Sequence, residues 1–174
     1  MNQNNYSLEI KLSISEIKEE IWDQFNEKNN NPFFEWNWLK NLEESKTVTS
    51  KTGWQPLYFL AYKANKRELC AIAPLFLKNH SYGEFIFDQS FARLAQDLNL
   101  DYYPKLIGMS PYSPVEGYQF IYKENSDKHE ITKILLNYIE VFAKKNNILS
   151  CNFLYIDKGW EKLLTKFNYH KWIN

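Results

Sequence analysis

Two long apolar runs, Leu57 to Tyr62 and Leu69 to Leu77, flank the polar segment Lys63-Ala64-Asn65-Lys66-Arg67. Strands that are apolar at nearly every position, rather than at every second one, have both faces covered. The spacing therefore predicts a hairpin of two central strands in a sheet covered by other elements on both sides. Pro74 falls inside the second run and removes one ladder donor, which predicts a bulge or a splay there.

The segments around this hairpin alternate between strand and helix signals. Leu8 to Leu12 alternates strictly and reads as a first strand. Ser13 and Ser15 offer caps for a first helix carrying Ile17, Ile21 and Phe25, and Asn31-Pro32 opens a second with Phe34, Trp38 and Leu42 on one face. Phe33, Trp36 and Trp38 together exceed what one helix needs for its core, and the surplus suits a cleft or a further domain. Phe91, Leu94, Ala95 and Leu98 recur at helical spacing, and Gln119 to Tyr122 returns as strand. Asp127 with Glu130 forms a capping-box pattern ahead of a long helix whose stripe is Ile131, Leu135, Tyr138 and Phe142. Ser150 to Ile156 reads as a strand, Trp160, Leu163, Leu164 and Phe167 as a short helix, and Tyr169 to Ile173 as the start of another strand. The fold class expected is α/β of the α+β kind, a central, mostly antiparallel mixed sheet flanked by helices.

At 174 residues and 44% hydrophobic, the chain fits one domain with a real core. Formal charge is zero, and of 21 basic residues only Arg67 and Arg93 are arginine, which argues against a broad duplex-DNA surface. Met1 to Asn5 lacks the basic and apolar regions of a signal peptide, and no apolar run approaches a bilayer span, so a cytoplasmic location is expected. Cys70 and Cys151 fall in expected strands without metal spacing and read as core thiols; no metal site is expected.

The most unusual stretch lies between Lys78 and Gln119. His80 to Asp88, if extended, places His80, Tyr82, Glu84, Ile86 and Asp88 on one face and Ser81, Gly83, Phe85 and Phe87 on the other. Tyr102-Tyr103-Pro104-Lys105 and Pro111-Tyr112-Ser113-Pro114 follow, a composition that suits a rigid aromatic rim around a pocket.

These words, His80-Ser81-Tyr82-Gly83-Glu84-Phe85, Tyr102-Tyr103-Pro104-Lys105-Leu106 and Pro111-Tyr112-Ser113-Pro114-Val115-Glu116-Gly117, resemble the central motifs of the FemAB-like peptidoglycan biosynthesis or recognition proteins. The resemblance begins near Asn31-Pro32-Phe33-Phe34 and covers most of the chain. It implies an acyltransferase domain of the GNAT type with a truncated last hairpin, and makes residues 1–174 the amino-terminal half of a longer protein with a second, similar domain beyond Asn174. It departs from the family at Tyr118-Gln119, where relatives carry Pro-Arg, and in being shorter than they are.

The implied chemistry is acyl transfer to an amine, which needs a proton acceptor, a nearby neutral amine and stabilisation of a tetrahedral oxyanion. Glu84 is the first candidate for proton acceptor or amine anchor and His80 the second. Tyr82 or Tyr103 offers a donor to a carbonyl or oxyanion, and Lys105 suits a substrate carboxylate or phosphate. Tyr112 and Asp88 complete the substrate-contacting candidates. The acceptor implied is a peptide-like or cell-wall-precursor amine; the acyl donor, aminoacyl-tRNA or acyl-CoA, stays open. A substrate-recognition domain without catalysis and an acetyl-CoA-dependent N-acetyltransferase are the alternatives. The Gly-x-Gly loop of acetyl-CoA enzymes is missing before the long helix, and no P-loop or dinucleotide fingerprint exists. A Ser-His-Asp hydrolase built from His80, Ser81 and Asp88 fails if the segment is extended, because strand neighbours point to opposite faces; only a sharp bend at Gly83 would bring the three together.

Overall fold

The computed structural model describes residues 5–29, 31–65 and 67–171. Its centre is the expected hairpin, β2 (Trp54–Lys63) paired antiparallel with β3 (Glu68–Lys78). β1 (Tyr6–Lys11) adds to the free edge of β2. On the other side β3 pairs with two short strands, β4 (Lys105–Gly108) at one end and β5 (Ile121–Tyr122) at the other. β6 (Cys151–Phe153) runs parallel to β4 and makes the sheet mixed.

Both faces of the hairpin are covered because successive side chains point to opposite sides. Leu57, Phe59 and Ala61 pack with Ile131, Leu135 and Ile139 of α4 (Lys128–Lys145) and with Trp160 and Leu164 of α5 (Lys158–Leu164). Trp54, Tyr58 and Leu60 pack with Trp22 of α1 (Glu19–Asn26) and with Trp36 and Leu39 of α2 (Trp36–Glu44). The Asp127 side chain accepts from Glu130 N and caps α4 as the sequence indicates. α3 (Gln89–Asp97) lies between β3 and β4 in sequence.

Four expectations change. The first helix begins at Glu19, so Ile17 precedes it and Ser13 caps a separate 3-10 turn, Ile14–Glu16. Phe34 belongs to a separate 3-10 turn, Pro32–Phe34, and enters the α4-side core, while Trp36 and Leu39 carry the buried face of α2. The asparagine cap ends after one turn because Glu35 is extended, so the stripe Phe34, Trp38, Leu42 is not one helical face. Tyr169 to Lys171 is not strand, and Trp172 and Ile173 lie outside the described residues. His80 to Asp88 is not a strand but a looped connection with Gly83 and Phe85 at positive φ.

At Pro74 the strand pairing divides as anticipated. The register with β2 runs unbroken from Trp54↔Lys78 to Ala61↔Ala71, with its irregularity at Ala61/Tyr62 instead. On the other edge, β5 meets Ala71 and Ile72 and β4 meets Phe76 to Lys78, leaving Pro74 in the gap. A residue's N–H and C=O point to the same side of a strand, so the missing proline donor falls where no strand needs it. The Pro74 carbonyl accepts instead from Tyr118 OH at 2.7 Å. The fully buried Tyr118 ring occupies this gap, against Gly108, where a Cβ would lie 2.4 Å from the ring.

Candidate functional site

The register places Lys78 of β3 directly opposite Lys105 of β4. Two like charges facing each other across a ladder repel, and both side chains are almost fully buried, so the pair requires counter-charge. It comes from the connection that leaves β3. The chain turns at Gly83, where φ is +81° and a Cβ would meet the Tyr112 ring at 2.6 Å, and this turn sends Glu84 and later Asp88 back under the loop. Tyr155 OH pins the turn by donating to the carbonyls of Glu84 and Phe85 at 2.9 and 3.2 Å.

Lys105 Nζ is the hub. It donates to Glu84 Oε2 at 2.7 Å, to Ser81 Oγ at 2.8 Å and to Asp88 Oδ2. The rings of Tyr102 and Tyr103 stand 5.4 and 5.7 Å from the same ammonium. Asp88 Oδ2 also accepts from Tyr102 OH at 2.7 Å and from Ser81 Oγ at 3.0 Å. Ser81 has one proton and gives it to Asp88, so Tyr103 OH, 2.7 Å away, donates to Ser81.

Lys78 Nζ sits 3.5 Å above the Trp54 ring, donates to the Tyr82 carbonyl at 3.0 Å, and lies 3.9 Å from Glu84 Oε1. His80 Nδ1 is 3.2 Å away. His80 also meets the Thr52 carbonyl through Nε2 at 2.9 Å and accepts from Tyr82 N at Nδ1. A carbonyl only accepts and a backbone N–H only donates, so the imidazole is neutral with its proton on Nε2.

Two cations and two anions thus close on one another in a site sealed from solvent, Glu84 being 1% exposed. Burial raises the Glu84 carboxyl above its ordinary value, against the opposing pull of Lys105 and Lys78. Burial also pushes Asp88 up, but the hydrogen bonds from Lys105, Tyr102 and Ser81 outweigh it and hold that carboxyl below its ordinary value. Burial, with the neighbouring Lys105 charge, brings the Lys78 ammonium down to about 7 despite Glu84. One oxygen of each carboxylate, Glu84 Oε1 and Asp88 Oδ1, is buried without a hydrogen-bond partner.

Of the residues singled out in the sequence, Glu84, Asp88, Lys105 and Tyr103 come together. His80 lies beside them through Lys78, with both ring nitrogens engaged. Tyr82 turns outward and is 80% exposed, its ring tilted against His80 at 5.2 Å. Tyr112 packs on Trp54 at 5.0 Å and donates to the Thr47 carbonyl, a supporting wall for the Gly83 turn rather than a member of the charged group. The bend at Gly83 does bring Ser81 to Asp88, but His80 points away to Thr52, so no Ser-His-Asp relay exists. Lys78, Ser81 and Tyr102 are the members the motif reading assigned no place in an acyl-transfer site. A lysine ending an otherwise apolar strand was the available signal for Lys78. Among the described residues no three His, Cys, Asp or Glu side chains converge as a metal site, and no helix is long and apolar enough to cross a membrane.

A six-stranded, mostly antiparallel sheet divided beside β3, with helices on both faces, is an α+β fold consistent with the GNAT-like type. The chain belongs to the FemAB-like family of peptidoglycan biosynthesis/recognition, whose model matches residues 13–174. No curated protein matches it. Membership associates the chain with peptidoglycan biosynthesis or recognition.

Proposed function

We propose that this domain is an N-acyltransferase of the Fem type, acting on the amine of a peptide-like or peptidoglycan-precursor substrate, with Glu84 as proton acceptor. The observation that carries the reading is the asymmetry of the Glu84 carboxylate. Oε2 is fixed by Lys105, Oε1 is buried without a hydrogen-bond partner, and burial raises the basicity of the group. A general base is most effective when its basicity is raised towards neutrality. Transfer requires the acceptor amine to come within hydrogen-bond reach of Oε1. The amine nitrogen attacks the donor carbonyl, the new C–N bond forms, its proton passes to Glu84, and the donor's C–O or C–S bond breaks as Glu84 returns that proton to the departing oxygen or sulfur. Lys105, whose three protons go to Glu84, Ser81 and Asp88, acts by fixing Glu84, with Asp88 as its second countercharge and Tyr103 orienting Ser81. Tyr82, and Tyr112 behind the turn, form the aromatic rim. His80 acts by holding Lys78 and the start of the loop.

Among donors, an aminoacyl ester fits better than acetyl-CoA. Lys123 to Asp127, ahead of α4, contains no glycine, and Tyr118 fills the gap at Pro74 through which an acyl chain would approach the sheet. The second reading, recognition without catalysis, is favoured by the mutual neutralisation of the group, whose formal charges cancel.

Glu84→Gln tests the first reading. It preserves shape and removes the base, so transfer to a soluble muropeptide precursor falls at least tenfold, about 1.4 kcal/mol of barrier, while the fold is retained. Unchanged transfer removes Glu84 from the mechanism. Precursor binding by the wild type with no transfer from any donor establishes the recognition reading instead.

A further inference from the structure

We infer that α3 and the segments flanking it form a self-association surface, and that its partner is a second copy of this chain. Six large apolar side chains within a short span, Phe85, Phe87, Phe91, Leu94, Leu98 and Leu100, are exposed to solvent. They are more than half of the exposed large hydrophobics among the described residues, so the exposure is concentrated rather than scattered. Phe87 is 82% exposed and Leu98 61%, values far from those of a core stripe.

The helix itself is the second observation. α3 has nine residues, and only Ala95 is buried. Helices shorter than about 12 residues are marginal in water unless an apolar face is packed, and here the face carrying Leu94 and Leu98 is the one left open. Its Asp88 N-cap makes no side-chain capping bond that would offset this. A face whose packing stabilises the helix that carries it is completed by association.

Area and charge select the partner. With roughly 150–250 Å² for each fully open aromatic side chain and somewhat less for leucine, the six present about 600 Å² of apolar surface. A standard interface takes ~800 Å² from each partner, about two-thirds of it apolar in homodimers, so ~520 Å² is needed. The patch meets that requirement in both copies at once, as a two-fold contact demands. The charged residues of α3 are Arg93 and Asp97, one of each sign, so two copies meet without net repulsion. The same balance gives an anionic bilayer or nucleic acid no cationic face to bind. Two α3 helices crossing antiparallel would bring Leu94 and Leu98 of each into contact with the other.

Sedimentation velocity of the full chain over a micromolar to high-micromolar series tests this. The wild type sediments as a monomer–dimer equilibrium, and the amides of α3 exchange more slowly as concentration rises. Leu94→Asp/Leu98→Asp abolishes the dimer with unchanged circular dichroism, whereas Leu149→Asp, at an exposed leucine elsewhere, leaves it intact. A wild type that stays monomeric throughout, with α3 exchange independent of concentration, overturns the inference. So does a dimer that survives the double substitution. Should the double variant misfold, the wild-type series and its exchange data decide alone.

Discussion

Replacing Lys105 by methionine removes the one cation that contacts both buried carboxylates while keeping the volume of the side chain. Glu84 then retains only Lys78, 3.9 Å away and itself disfavoured as a cation by burial, and Asp88 keeps two hydroxyl donors but no countercharge. Removing one partner of a buried ion pair costs about 3–5 kcal/mol, because the remaining charge is neither solvated nor paired. A domain of this size has ~5–15 kcal/mol in total, so Lys105→Met folds but is marginal at neutral pH. The loss depends on pH with a definite sign. Without Lys105, burial holds the Glu84 carboxyl further above its unfolded value and Asp88 loses its largest opposing pull, so the penalty is full at pH above the folded-state values. It fades as pH falls through them towards the unfolded range near 4. Urea unfolding followed by tryptophan fluorescence at several pH values gives the number directly. Adding Glu84→Gln to Lys105→Met recovers more than about 1 kcal/mol, since it removes one of the stranded charges. A loss below about 1 kcal/mol, or one equal at every pH, would refute the argument that Lys105 neutralises the pair.

Two other perturbations probe the same region. Lys78 is lowered to about 7 in the folded protein against 10.5 unfolded, so between these values the unfolded chain binds more protons and stability rises with pH. Lys78→Met flattens that rise, whose slope approaches ~1.4 kcal/mol per pH unit, and a wild-type curve flat from pH 7 to about 9 would count against a buried, reluctant ammonium. Gly83→Ala places a Cβ 2.6 Å from the Tyr112 ring at a φ of +81°, and is expected to cost about 1–3 kcal/mol by chemical denaturation. A Gly83→Ala variant as stable as wild type would mean that the turn is not held in this form.

What the sequence made legible follows from which signals are local. The β2–β3 hairpin announced itself because both strands are apolar on both faces, and α4 because Asp127 supplies its own cap. Residues Glu84 to Asp88 imitate a strand for a physical reason: Glu84 and Asp88 turn in while Phe85 and Phe87 turn out, and Tyr82, outward at the same parity as Glu84, breaks the alternation. Gly83 carried the contrary signal. β4 is four residues long and begins with a buried lysine, so neither its length nor its hydropathy marked it, and its parallel partner β6 is distant in sequence. The candidates Glu84, Asp88, Tyr103 and Lys105 were found by residue type. Their mutual contact was not, because it depends on the register that sets Lys78 against Lys105.

That register also sharpens the question put to Glu84. A carboxylate that merely neutralises two lysines and one that accepts a proton from substrate occupy the same place, and both explain why it is buried. They differ in what Glu84→Gln does to the rest of the group. Lys105 keeps Asp88 as its countercharge, whereas Lys78 loses its only carboxylate neighbour among the described residues and keeps the desolvation and the Lys105 repulsion. The substitution therefore drives the Lys78 ammonium further down and extends the rise of stability with pH to lower values. That displacement follows from charge alone and is expected under either role. Loss of transfer without loss of precursor affinity is expected only if Oε1 takes the proton. Measured on the same variant, the first result shows that the site is assembled as described, and the second then decides whether it performs chemistry.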